Sequence, residues 1–251
     1  MPFGRKSRLS DWLTNTHQQR FDIILLCYHR ADECPIPTGK NIAVFEYRSF
    51  KWWMVHDFFQ DHPDILTRYD SFFFIDDDVE VTEADIGRLF LAFCALGLQL
   101  AQPSLTSDSF MSWKALRHQR LSGYRYVTTV ELMCPMMKQE ALRALLPTFK
   151  LTQSGWGVDL LWGKQIVERF GARQIAVIDW IQVRHGKPVG LGELYDKLQQ
   201  PAKAEEDDLR KEYGIEHWRI RETERFPLNW IKALMHYVQL GRIFSSARTW
   251  Q

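Results

Sequence analysis

The chain has 251 residues, 45% hydrophobic, 14% aromatic and 25% charged, with a net charge of +1 at pH 7. A chain of this length buries about three quarters of the surface its unfolded form exposes, so it needs no disulfide or metal staple to fold. The composition excludes a disordered or fibrous protein, and the near-neutral charge argues against a nucleic-acid partner.

Cys27, Cys34, Cys94 and Cys134 form no CxxC pair and fit no zinc spacing. Scattered thiols, together with a basic N-terminus that lacks an apolar signal stretch, give the expectation of a cytoplasmic protein. The most apolar helix-like run, residues 89–101, is shorter than the ~20 residues that span a bilayer.

In chain order, residues 21–28 (FDIILLCY) have the continuous apolar pattern of a strand buried on both faces, and residues 41–45 (NIAVF) read as a second short strand. Residues 51–62 predict an aromatic-rich helix that ends before Pro63. Residues 71–75 (SFFFI) predict a buried strand running directly into Asp76, Asp77 and Asp78. Thr82, followed by Glu83 and Asp85, predicts a capped helix to about Leu96. A short strand over 98–102 is expected to close at Pro103, with a further strand over 124–133 and helices over 138–146 and 158–170. A strand over 174–181 follows the turn at Gly171. Strands alternating with helices predict an α/β sandwich with a mostly parallel central sheet. Residues 201–208 (PAKAEEDD) are polar and acidic and read as a linker. An apolar segment over 226–244 then predicts one or two terminal helices. The resulting division is a catalytic domain over 1–200 and a helical extension over 201–251.

Three clusters carry chemistry. The first is FFFIDDDVEV, where a buried strand delivers three consecutive carboxylates. Ligands of open α/β sheets sit at the carboxyl ends of strands, and grouped carboxylates need a neutralising cation. Hard oxygen ligands suit Mg²⁺ or Mn²⁺, which take further ligands from water and substrate phosphates. The second is SGWGVD, where glycines flank Trp156 and Asp159 opens a helix. An ionised carboxylate there suits activation of an acceptor hydroxyl. The third is RHGKP, where His185 can complete a carboxylate metal site and Lys187 can neutralise a diphosphate.

A strand ending in a DxD-type cluster resembles the signature of nucleotide-sugar glycosyltransferases of the GT-A fold. His185-Gly-Lys-Pro188 is similar to the HxxGxxKP segment of the glycogenin and galactinol-synthase type, with shorter spacing. The ordered set YDSFFFIDDDVEV, AQP, VELMCP, GWGVD and RHGKPVG resembles a domain-of-unknown-function family of plant and bacterial proteins predicted to contain GT-A glycosyltransferases. The resemblance covers residues 20–192. It implies a metal-dependent transfer of sugar from a nucleoside-diphosphate donor, with a uridine diphosphate sugar favoured, to an acceptor hydroxyl. The implied setting is synthesis of bacterial surface polysaccharide or glycoconjugate on a carbohydrate or lipid-linked acceptor.

Carried onto this chain, the resemblance makes Asp76, Asp78 and His185 the metal ligands, with Asp76 also facing the ribose. Lys187 contacts the diphosphate, Asp159 activates the acceptor and Glu131 binds acceptor sugar. Tyr28 stacks on the base, Lys51 reaches ribose or phosphate, and Trp156 lies at the donor. Trp52, Trp53, Trp113 and Trp162 are further candidates to stack on sugar rings. Arg219, Arg221, Arg225, Lys232, Arg242 and Arg248, with Trp230, Phe244 and Trp250, suit peripheral contact with the inner face of an anionic membrane. Two other classes fit clustered carboxylates: a metal-dependent nucleotidyltransferase or phosphoesterase, and a non-catalytic nucleotide- or carbohydrate-binding protein on the same fold.

Overall fold

The computed structural model describes residues 1–5, 7, 9, 21–36, 41–193 and 195–228. Among these residues the strands form two sheets. The smaller sheet holds β1 (Pro2–Phe3), β2 (Ile23–Cys27) and β3 (Ile42–Glu46), paired in parallel in that order. β2 is the apolar strand read from the sequence, and Leu25, Leu26 and Cys27 are buried.

The apolar face of α1 (Lys51–Asp61) buries Trp52, Met54, Val55, Phe58 and Phe59. A short helix, α2 (Ile65–Arg68), leads to β4 (Ser71–Phe73), and β5 (Val79–Glu80) follows the three aspartates. In α3 (Glu83–Leu96) the Thr82 hydroxyl accepts from the Asp85 amide at 3.1 Å, the cap expected from the sequence. Gly97, at φ 65°, closes that helix in the left-handed region that glycine adopts at least cost.

The larger sheet adds β6 (Leu100–Leu105), β7 (Ser122–Val127), β8 (Met136–Lys138), β9 (Ile175–His185) and β10 (Glu222–Pro227). Its order is β10-β7-β9-β6-β8-β4, with β5 against β9. The helices α4 (Gln139–Leu145), α5 (Val158–Phe170) and α6 (Ala202–Glu212) complete the main elements among the described residues. The architecture is α/β, as expected, but the expectation of a mostly parallel central sheet is corrected. In the larger sheet β6 and β9 pair in parallel, whereas β10 with β7, β7 with β9, β6 with β8, β4 with β8 and β5 with β9 are antiparallel.

Three local readings are also corrected. Pro103 does not end β6 but sits within it, next to a register shift: Pro103 faces Ile178 while Ser104 faces Gln182. A residue with no N–H is tolerated at such an irregularity. The shift accommodates Asp179, Trp180 and Ile181 as extra residues on β9, which then continues to His185. The strand expected over 124–133 ends at Val127. Residues 201–208, read as a linker, belong to α6, whose Glu205, Leu209 and Arg210 are buried. The helical segment expected over 226–244 is corrected at its start, where Phe226 and Pro227 belong to β10 and pair with β7; the rest, from 229 onward, lies outside the described residues, as do Trp230, Lys232, Arg242, Phe244, Arg248 and Trp250.

Among the described residues, no helix is long and apolar enough to cross a membrane. The core explains two of the tryptophans. Trp52 and Trp162 are buried and meet edge-on at 4.7 Å, with Phe149 at 4.9 Å from Trp52. Neither has a face to offer a sugar. Trp53 is half-buried and donates from Nε1 to the Thr152 carbonyl at 2.8 Å.

Candidate functional site

The site starts from a backbone register. Val79 pairs with His185 and Glu80 with Arg184 across antiparallel β5 and β9. This pairing brings the end of the aspartate run against the end of β9, and the Arg184–Glu80 ion pair at 2.7 Å fastens it. Asp78 Oδ1 then lies 3.6 Å from His185 Nε2, and Asp78 Oδ2 lies 3.4 Å from Lys187 Nζ. Burial works against ionisation of Asp78, but the facing His185 and the charge of Lys187 outweigh it and hold the carboxyl below its usual range. His185 Nδ1–H donates to the Phe110 carbonyl at 2.9 Å, which orients the ring with Nε2 toward Asp78. Burial alone would lower the imidazole's pKa; Asp78 and the Phe110 carbonyl reverse that and raise it.

The other two aspartates have different partners. Lys51 Nζ stands 2.6 Å from Asp76 Oδ1 and also donates to the Leu132 carbonyl. Burial raises the Asp76 pKa and Lys51 only partly offsets it. Asp77 Oδ2 accepts from the Tyr28 hydroxyl and from the Gly4 amide, each at 3.1 Å. Burial, with Asp78 and Asp76 adding to it, lifts Asp77 to about 6. Tyr28 is therefore tied by its hydroxyl to the acidic run, and its ring meets His29 at 4.6 Å.

The structure thus brings Asp76, Asp78, His185, Lys51, Lys187 and Tyr28 together around the end of β4. Asp76 is turned to Lys51 while Asp78 faces His185. Among the described residues, no group of three or more His, Cys, Asp or Glu side chains is set to hold a metal ion.

Glu131 and Asp159 lie deeper. Glu131 Oε1 accepts from the Ser112 and Trp113 amides at 2.7 and 2.9 Å. Its other oxygen, Oε2, is buried without a hydrogen-bond partner. Burial lifts the carboxyl to about 8 despite those two amides. Glu131 therefore anchors the loop that carries Phe110, whose carbonyl orients His185. Asp159, in the first turn of α5, accepts from the Leu160 amide at 2.9 Å, and burial lifts it to about 7.

The glycines beside Trp156 serve the chain itself rather than a ligand. At Gly155, φ 83°, an added Cβ would come within 2.8 Å of Trp52 Cδ1. At Gly157, φ 82°, it would come within 3.0 Å of Leu209 Cδ2 on α6. The loop is pinned between α1 and α6 because only glycine fits at those two points. Trp156 itself is half-buried and donates from Nε1 to the Tyr195 hydroxyl at 3.0 Å.

A family model described as "Protein of unknown function (DUF707)" matches residues 3–236 and so takes in every cluster above. The chain belongs to the DUF707 family. No curated protein matches the sequence. Among solved structures, the chain is similar to A197 from STIV, at 15% identity and a TM-score of 0.37, over 58% of this chain and 72% of that one. It is also similar to a mycobacterial protein, at 12% identity and a TM-score of 0.42, over 84% of this chain and 78% of that one.

In this DUF707 chain, sequence reasoning missed two site residues. The Tyr195 hydroxyl accepts from Trp156 Nε1 at 3.0 Å; burial raises its pKa, and the charges of Asp76, Asp159 and Asp78 act in the same direction. Glu205 accepts from the Gln153 and Ser154 amides at 2.9 and 2.8 Å and holds the start of the SGWGVD loop. The available signal for Glu205 was Leu209 four residues on, one helical turn, inside a segment with good helix formers.

Proposed function

We propose that the chain is a metal-dependent glycosyltransferase that moves a sugar from a nucleoside diphosphate to an acceptor hydroxyl. The observation that supports this reading best is the pair Asp78 and His185, 3.6 Å apart, with Lys187 beside them at the carboxyl end of the β4 segment. A carboxylate and an imidazole make a two-donor seat for Mn²⁺ or Mg²⁺, whose remaining ligands are waters and substrate phosphates. The bound ion would stabilise negative charge on the departing diphosphate.

The chain's own residues do the rest. Lys187, half-exposed, adds a point charge toward the diphosphate. Lys51, 2.6 Å from Asp76 Oδ1, partly offsets the burial of that carboxyl, which faces a donor hydroxyl. Asp159, poised near 7, takes the proton of the acceptor hydroxyl as it attacks the anomeric carbon. Glu131 acts at one remove, through the Ser112–Trp113 amides. Incubation with a panel of nucleoside-diphosphate sugars and Mn²⁺, reading release of the free diphosphate, tests the proposal. Release from one donor that Asp78→Asn abolishes is expected; equal release by wild type and Asp78→Asn would overturn it.

A further inference from the structure

An open depression of about 590 Å³ lies beside the site, with Trp113 and Trp156 in its lining. Both rings are half-buried, so each keeps part of its surface open. The Trp156 ring is also fixed, and the backbone that carries Trp113 is held. The Trp113 amide is held by Glu131 at 2.9 Å, and Trp156 is held by its 3.0 Å bond to Tyr195. On its far edge Trp156 meets Gly190, where an added Cβ would lie 3.3 Å from Cζ2.

The rest of the lining is charged yet balanced. Lys203, Arg210 and Arg219 stand with Glu206, Asp207 and Glu216, three cations with three anions. Most of these charges are already satisfied by one another. Arg210 Nε donates to Glu206 at 2.7 Å, and Lys203 lies 2.8 Å from Asp207 and 3.1 Å from Glu206. Arg219 donates to the Glu216 and Trp218 carbonyls at 2.6 and 2.7 Å. Arg210 is itself buried, so this wall is built into the fold and is not a chance of the surface.

We infer that this depression binds a neutral oligosaccharide, stacked on Trp113 and Trp156 and hydrogen-bonded by the paired charges of α6. Fixed aromatic rings offer flat apolar surface to the C–H face of a sugar ring at little entropic cost. A wall rich in donors and acceptors but without net charge suits hydroxyls; an anionic ligand would want a surplus of cations. The place is right for an acceptor. Trp156 is three residues from Asp159, and Gly157 between them packs on α6, where an added Cβ would lie 3.2 Å from Glu206 Cγ. The inference rests on the transferase reading for the word acceptor, and on the depression alone for binding.

Calorimetric titration of the full chain with cellohexaose, maltohexaose and mannohexaose tests it, alongside Trp113→Ala, Trp156→Ala and Asp207→Ala, each checked for an unchanged melting temperature. Asp207 is exposed and its loss leaves the core intact. At least one hexaose is expected to bind, about tenfold more weakly in each tryptophan variant and a few-fold more weakly in Asp207→Ala. Absence of binding by all three, or binding unaltered in every variant, overturns the inference. Nucleotide binding with Mn²⁺ is measured on the same samples. If nucleotide binds and no hexaose does, this inference falls and the transferase reading stands. If a hexaose binds at the tryptophans and no nucleotide does, the surface stands and the transferase reading falls.

Discussion

Val79 and His185 face each other across β5 and β9, and that pairing places Asp78 Oδ1 3.6 Å from His185 Nε2. The two side chains are far apart in sequence, and a two-residue strand joins them. A β-bridge fixes relative position far better than a loop can, because its register sets both residues at once. The bulge around Asp179–Ile181 is the condition for this, since it extends β9 to His185.

Lys51 has one task that can be isolated. Lys51→Met leaves Asp76 partly buried with no cation, at a cost of about 1–3 kcal/mol. The cost should be larger at alkaline than at mildly acidic pH, because Asp76 escapes it by taking a proton. Urea denaturation at two pH values measures it, and an equal loss at both would contradict the assigned ion pair.

Glu131 and Asp159 make stability fall with rising pH. Their native values are about 8 and about 7, against 4.5 and 3.8 as ordinary values. The native chain therefore keeps both protons to higher pH than the unfolded chain does. This stabilisation is fully present below the ordinary values and is lost as pH rises through 7 and then 8. Glu131→Gln should remove the upper part of that fall in a series of melting temperatures. An identical pH series in wild type and variant would show that Glu131 titrates normally.

Arg125 and Asp179 form a buried bidentate pair, with Nε to Oδ2 at 2.7 Å and the second nitrogen to Oδ1 at 3.0 Å. Arg125 also donates to the Ala115 and Arg117 carbonyls, so it ties the bulge of β9 to the loop before β7. Arg125→Met strands Asp179 and should cost about 3–5 kcal/mol. Chemical denaturation decides it; a cost below about 1 kcal/mol would mean the bulge holds without the pair.

Much of this was legible in the sequence where local pattern decides. The apolar runs of β2 and β4, the Thr82 cap and α5 are set by side-chain periodicity and capping chemistry, which act over a few residues. What was illegible depends on partners far along the chain. Strand direction in the larger sheet follows from which strands meet, and a run such as IAVIDW looks the same in either direction. Pro103 reads as a strand end unless the bulge opposite it is known. The acidic segment 201–208 reads as solvated because Glu205 is buried only by its bonds to the Gln153 and Ser154 amides. At the site, Asp76, Asp78, His185, Lys51 and Lys187 do gather as their motifs suggested. Their pairing, Asp76 with Lys51 and Asp78 with His185, came only with the backbone register.

The most direct measurement is the melting temperature of the full chain with each nucleoside diphosphate, with and without Mn²⁺. At about one hundred times its dissociation constant a ligand adds about 2.7 kcal/mol, a shift of a few degrees in a chain this size. The account predicts a shift for one nucleotide that requires Mn²⁺ and vanishes in Asp78→Asn. No shift for any nucleotide with the metal present would contradict it.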